Sequence, residues 1–286
     1  MHITLTGNLG SGKSTICRIL TEKYGFELYS TGKVIREIAD EMGISVLEMN
    51  ELMSKDHKYD HMIDDKTAQI SRENPDKNIL FDSRLAWNFV EKSFKVFLSV
   101  DLAEAARRVY ADASRGDVES YKNEEDAAEQ LAARAANEDA RYEELYGIHY
   151  FDFNNYNLIL DSSYATPDVI AELLMQEAVA RCDEEPEKRA QMLISPKRLG
   201  FAASAGKACG CIAAVPGDPA AGAVTGVEET GSADGADNSR AAKIAPGLVT
   251  VAVDGNRMTV VDGADIVQRA ADEGCAYVAA NLIEIE

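Results

Sequence analysis

The sequence is poor in the features that mark several protein classes. Its five cysteines are an odd number scattered over 286 residues, which argues against a disulfide framework and for a reducing compartment. No stretch approaches the ~18 unbroken apolar residues of a membrane span. The opening Met1-His-Ile-Thr-Leu-Thr-Gly7 has neither the basic start nor the apolar core of a secretion signal, so the expected location is cytoplasmic. There is no basic run of five residues, and the net charge is −20. An acidic surface repels phosphate backbones, so no nucleic-acid partner is expected, nor a membrane. No aromatic residue occurs from 202 to 276, and residues 202–245 hold 14 Ala and 7 Gly among 44. Such a segment has little to bury and is expected to be flexible. The sequence carries no signal of oligomeric state.

What remains is an ordinary core-forming composition, 46% apolar and 27% charged. Over the first 180 residues strand and helix signals alternate, predicting an α/β fold with a short parallel sheet flanked by helices. Strands are predicted at 2–6, 26–29, 78–82, 94–100 and 156–160. Helices are predicted at 13–23, 31–42, 58–72, from Asp101 onward, up to about Tyr146, and from Thr166-Pro167 with Pro at its first position. Ser45 with Glu48 reads as a capping box. The low-apolar stretch 114–125 reads as mobile. The charged run 183–189 reads as a linker between a first unit, 1–184, and a small α+β unit, 193–286. Within the latter, strands are predicted at 248–253, 257–261 and 277–284, and a helix at 265–273. The first sheet is predicted to be complete at Tyr156–Leu160, leaving the tail dispensable.

Gly7-Asn8-Leu9-Gly10-Ser11-Gly12-Lys13-Ser14 matches G-x-x-x-x-G-K-[ST], with Thr15 following. Glycines let this backbone wrap round phosphates, and its amides point inward at a helix N-terminus. The pattern assigns Lys13 to the β- and γ-phosphates and the Ser14 hydroxyl to Mg²⁺. The loop follows an apolar strand and opens a helix, as its mechanism requires. No Asn-Lys-x-Asp sequence is present, which argues against guanine recognition.

Around this loop stand Ser30-Thr-Gly32 with Arg36, Phe81-Asp-Ser-Arg84-Leu-Ala, Arg107-Arg108, Arg141-Tyr-Glu-Glu-Leu-Tyr-Gly147-Ile and Tyr156-Asn-Leu-Ile-Leu-Asp-Ser162. With these residues the first 180 positions resemble the cytidylate kinase family, in its short archaeal-type branch of P-loop nucleoside-monophosphate kinases. The resemblance implies an ATP-dependent, Mg²⁺-assisted phosphotransferase acting on a nucleoside monophosphate, CMP or dCMP. It implies that Arg36 and Arg84, with Ser30 and Gly32, hold the acceptor monophosphate. It further implies that Arg107, Arg134 and Arg141 close over the γ-phosphate as a lid, that Glu138 orients the lid or the base, and that Asp82 anchors Mg²⁺ indirectly. Where the family has Gly before the arginine, this chain has Ser83. A kinase for another small acceptor, or a nucleotide-sensing regulator on the same fold, are the alternatives.

Weaker patterns carry less. His57 and His61 share a helix face, but no third metal ligand is evident. Asp60, Asp64 and Asp65 fit either a base-binding role or a solvated helix face. Cys209-Gly-Cys211 has no partner cysteines, and Cys17 reads as a small buried residue. The tail, through Leu193–Leu199, Arg257–Gly263 and Cys275–Ile283, resembles the ParB/sulfiredoxin-like fold, with that family's phosphate-binding cations missing at Gly263–Gln268.

Overall fold

The computed structural model describes residues 1–45, 48, 49, 52, 58–112, 121–181, 191–199, 211, 212, 244–254 and 257–284. His57, Cys209, the linker 183–189, residues 114–120 and nearly all of the Gly/Ala-rich segment lie outside them.

The N-terminal apolar run is β1 (His2–Gly7), every residue of which is buried. It sits at the centre of a parallel set with β2 (Glu27–Ser30), β3 (Ile79–Asp82), β4 (Phe94–Ser99) and β5 (Leu158–Asp161), in the order β2-β3-β1-β4-β5. Strands buried on both faces need no polar alternation, which is why they read as continuous apolar runs. Successive residues feed opposite cores. Leu98 packs with Ile3, Leu5, Ile16 and Leu20, whereas its neighbour Phe97 packs with Tyr156 and Ile159.

α1 (Lys13–Tyr24) and α7 (Pro167–Arg181) cover the first face. α2 (Thr31–Met42) buries Val34, Ile38 and Ala39 against α3 (Lys58–Glu73) and β3. A small helix, α4 (Ala86–Phe89), and α5 (Leu102–Ala111) follow β3 and β4. Local chemistry sets the ends. Asp101 accepts from the amides of Ala103 and Glu104 to start α5, a cap worth about 1 kcal/mol. The Ser45–Glu48 capping box forms in both directions, at 2.8 and 3.2 Å. The 23-residue α6 (Glu124–Tyr146) buries only Ala127 and Leu131, so packing holds it weakly and polar contacts must orient it.

The sheet does not end at β5, as the sequence predicts. β6 (Gln191–Ile194) pairs parallel to β5 on its outer side, and β10 (Tyr277–Glu284) pairs antiparallel to β6. β8 (Ile244–Asp254), β9 (Arg257–Asp262) and β7 (Cys211–Ile212) continue the same sheet in the order β6-β10-β8-β9-β7. α8 (Ala264–Asp272) lies on β8 and β10, burying Val267 and Ala270. The predicted boundary at 184–193 therefore falls inside one sheet. Leu193 and Tyr277 also enter the core beside Leu160 and Leu174, so the tail supplies apolar surface that the residue pattern did not promise. The reason is a missed strand: Met192-Leu-Ile194 is too short a run to register as a sheet element without its two neighbours.

Candidate active site

Parallel strands deliver their C-terminal ends to one edge. There Gly7 lies opposite Leu98, Leu5 opposite Asp82, and Ser99 opposite Asp161. The strand order reverses about β1, and open α/β sheets bind ligands at such a crevice. The phosphate loop is built into it. A Cβ on Gly7 would stand 2.6 Å from the Leu98 carbonyl oxygen, so only glycine lets the loop leave β1 this close to β4. Gly12 adopts φ 84° at the cap of α1, where any side chain would be strained.

Asn8 ties the loop to β4, its side-chain oxygen accepting from the Val100 amide at 3.1 Å. Ser11 donates its amide to Asn8 O, and Thr15 and Ile16 donate to Gly12 O. The amides of Gly10, Gly12, Lys13 and Ser14 have no acceptor among the described residues. The Ser11 hydroxyl is buried and likewise without a partner. Buried or converging donors left over in this way call for an anion. The donor set therefore fits a nucleotide polyphosphate. Ser14, exposed at the first turn of α1, fits a hard cation bound to it.

Lys13 reaches across to Asp82 at the end of β3, and the two side chains are about four-fifths shielded. The carboxylate that closes β3 thus holds the Lys13 ammonium. Arg84 lies two residues on. Its Nε donates to Glu138 of α6 at 2.9 Å, its Nη1 donates to the Gly7 carbonyl, and its guanidinium lies 5.9 Å from the Tyr150 ring centre. Thr6 donates to Ser83 O or Arg84 O, pinning this turn to β1. Ser83, in place of the expected glycine, accepts from the Leu85 amide at 3.4 Å.

The structure gathers some predicted residues and separates others. Glu138 bridges Arg84 to Arg134, which donates at 3.2 Å, so these three and the phosphate loop form one polar cluster. Arg141 donates to both oxygens of Asp60 on α3, at 3.0 and 3.1 Å. Tyr146 donates to Asp64 at 2.7 Å. Through these two contacts α6, which carries the expected lid arginines Arg134 and Arg141, leans on α3. Burial pushes the Asp64 carboxyl up to about 6, although the Tyr146 hydrogen bond pulls it down, and the Tyr146 phenol is raised. Arg36 is exposed, with no hydrogen bond or ion pair among the described residues, and lies beside Gly32. Ser30 is engaged as the cap of α2, its hydroxyl accepting from Lys33 N.

Arg107 is not brought to the phosphate loop. It is exposed and forks onto Glu104 of its own helix at 2.7 and 2.8 Å. Its neighbour Arg108 is the cation that turns inward, donating to Gly10 O at 3.4 Å and to the carbonyls of Ser162 and Ser163 at 2.8 and 2.9 Å. Helical phase separates them: with Ala105, Ala106 and Val109 buried, position 108 lies nearer the packed face than 107. That periodicity was available in the sequence. Of the weaker patterns, Cys17 is buried, with its thiol pushed up to about 12 by burial. His61 packs edge-on against Tyr146 at 5.5 Å. Among the described residues no group of three or more His, Cys, Asp or Glu could hold a metal ion. Among them, too, no helix is long and apolar enough to cross a membrane.

Comparison with known proteins adds to this geometry. A family model described as the cytidylate kinase-like family matches residues 2–164. A cytidylate kinase of Methanocella arvoryzae is 33% identical over 163 residues, covering 57% of this chain and 88% of the relative. One from Natronomonas pharaonis is 33% identical over 189 residues, covering 65% and 94%. Among solved structures, shikimate kinase from Bacteroides thetaiotaomicron aligns with a TM-score of 0.44 at 16% identity, covering 63% of this chain and 97% of that one. The family match stops at residue 164, short of the tail.

Proposed function

The chain belongs to the cytidylate kinase-like family, and on that premise we propose that it transfers the γ-phosphoryl group of ATP to a nucleoside monophosphate, CMP or dCMP. The observation that carries this reading is the set of amides at Gly10, Gly12, Lys13 and Ser14, without acceptors among the described residues, beside the Lys13 ammonium. They form a cradle for a triphosphate at the same sheet edge as Asp82 and Arg84.

In the reaction an oxygen of the acceptor phosphate attacks the γ-phosphorus in line. A phosphorus–oxygen bond forms there as the bond to the β-phosphate bridging oxygen breaks, and the electron pair leaves with ADP. The protein makes no covalent bond; it positions both nucleotides and stabilises charge spread over the γ-oxygens. The loop amides and Lys13 hold the β- and γ-phosphates. Bound Mg²⁺ would neutralise phosphate charge, held by the Ser14 hydroxyl with Asp82 as an outer anchor. Arg36, without a partner among the described residues, would supply a cation on the acceptor side. Arg84 lies between the acceptor side and the lid. Its present partners, a carboxylate and a carbonyl, are the acceptors a phosphate would replace. Arg134 and Arg141 on α6 would move with the lid. In this reading Asp60 and Asp64 of α3 would accept from the amino group of cytosine.

Steady-state turnover with MgATP and CMP, dCMP, UMP, AMP and GMP tests the proposal. CMP or dCMP is expected to have the highest kcat/KM. ATP binding with negligible ADP formation on every acceptor would refute a kinase.

A further inference from the structure

Asp161, at the end of β5, is fully buried and collects donors from two parts of the chain. From its own turn, the amide and hydroxyl of Ser163 reach it at 3.1 and 2.6 Å. From the tail come Arg198 Nη1 at 3.0 Å, the Ser195 amide at 3.1 Å and, onto its carbonyl, the Tyr277 hydroxyl at 3.0 Å. Arg198 is only 1% exposed and also donates to Ser99 at 3.1 Å. A cation this deep is costly unless paired, and Asp161 supplies the counter-charge, while Arg198 Nη2 is buried without a partner among the described residues. A tail that merely leaned on the sheet would not need such a cation.

The turn held in this way is the one that holds Arg108. Ser162 and Ser163 offer their carbonyls to Arg108, and Arg108 reaches Gly10 of the phosphate loop. The Ser163 hydroxyl also accepts from the Asp101 amide, fixing the start of the helix that carries Arg108. A continuous run of buried or half-buried polar contacts therefore leads from β10 and residue 198 to the donor loop. It bypasses Arg36 and α3, on the acceptor side.

We propose that Arg198 is a positioning residue for the donor nucleotide: through Asp161 and the Ser162–Ser163 turn it aims Arg108 at the phosphate loop, making the tail a working part of the ATP site. This rests on the reading of the loop as a nucleotide site. A merely structural Arg198 would, when lost, weaken both nucleotides together or neither. A positioning Arg198 affects the donor alone.

The test uses the full chain and a non-hydrolysable ATP analogue, with binding measured by calorimetry and the acceptor KM measured separately. Arg198→Met is expected to weaken the analogue about ten-fold, as expected for a misplaced charged contact, while the monophosphate KM stays within about two-fold. Arg108→Met should do the same, and the double variant should be little worse than either single, because the two act in series. Arg198→Lys should recover part of the affinity. If Arg198→Met does not fold, Tyr277→Phe removes the hydroxyl that donates to the Asp161 main-chain carbonyl and should weaken the analogue about two-fold without moving the acceptor KM. Unchanged analogue binding, parallel loss for both nucleotides, or additive effects of Arg198→Met and Arg108→Met would overturn the proposal. Wild-type protein that binds no analogue would instead sink the nucleotide reading and this proposal with it.

Discussion

Two seams run through the molecule, and they are built from different chemistry. At the tail seam, β6 hydrogen-bonds along β5, and a fully buried Arg198–Asp161 pair sits among serine and tyrosine donors. At the lid seam, α6 meets α3 through Arg141–Asp60 and Tyr146–Asp64, with Arg141 half exposed. Breaking a buried pair on one side leaves an uncompensated charge and costs about 3–5 kcal/mol. A half-exposed pair is worth about 0–1 kcal/mol and opens readily. The first seam therefore costs much more to open than the second. A kinase needs both: a fixed donor loop and a lid that moves.

The comparison breaks most sharply on truncation. Residue pattern alone predicts that the chain cut after Glu184 keeps its turnover. The structure predicts the opposite, because the cut removes β6, strips Arg198 and Tyr277 from Asp161, and exposes the edge of β5. The expected product lacks a cooperative thermal transition and has no measurable turnover. A truncated protein that melts cooperatively and phosphorylates CMP would show the tail seam to be dispensable.

Lys13→Ala sharpens the contrast from the site. Loss of a preorganised charge at the γ-phosphate is expected to lower kcat by about 10²–10³. Its pair with Asp82 is about four-fifths shielded at the open sheet edge, so stability should fall, but by less than on breaking the fully buried Arg198–Asp161 pair. Large catalytic and small structural effects would be the reverse of those expected on breaking the buried Arg198–Asp161 pair. Wild-type turnover in this variant would remove the loop from the mechanism.

A smaller effect separates two arginines. Arg36 has no partner among the described residues, so Arg36→Ala should raise the monophosphate KM about ten-fold and leave the melting temperature unchanged. Arg84 joins Gly7, Glu138 and Tyr150, so Arg84→Ala should weaken both nucleotides and lower the melting temperature as well. Identical profiles for the two would mean that Arg84 is not shared between the phosphate loop and the lid.

Legibility in the sequence follows the same division. The parallel strands, the phosphate loop and the caps at Asp101 and Ser45 are local patterns, and local patterns are readable. The acceptors of Arg84 and the inward turn of Arg108 depend on which helix face packs where, which the buried Ala105, Ala106 and Val109 encode only indirectly. The tail seam was illegible for a deeper reason. Ser195 and Arg198 follow a four-residue strand, and nothing within reach of them in sequence shows that Asp161, 37 residues earlier, lies opposite. Long-range pairing of short strands leaves no periodic trace.

The smallest expected effect is a pH dependence at the lid seam. Asp64 has one described hydrogen-bond donor, Tyr146, where Asp161 has several. Burial raises its carboxyl to about 6, His61 and the Tyr146 hydroxyl oppose that rise, and Asp60 and Asp65 add to it. A folded-state value above the unfolded one, 3.8, means that the folded chain binds the proton more tightly. The stabilisation is thus complete below the unfolded value and is lost as pH rises through about 6. Asp64→Asn keeps an acceptor for Tyr146 without the charge. It should melt higher than wild type above that range, with the difference shrinking toward zero as the pH falls to 4. Tyr146→Phe removes the contact that lowers the carboxyl, so the Asp64 titration followed by carboxyl NMR should move further up. A pH-independent difference in melting temperature for Asp64→Asn, or a downward shift in Tyr146→Phe, would show that this seam is not held by a strained carboxylate and would leave the Arg141–Asp60 pair as its fastening.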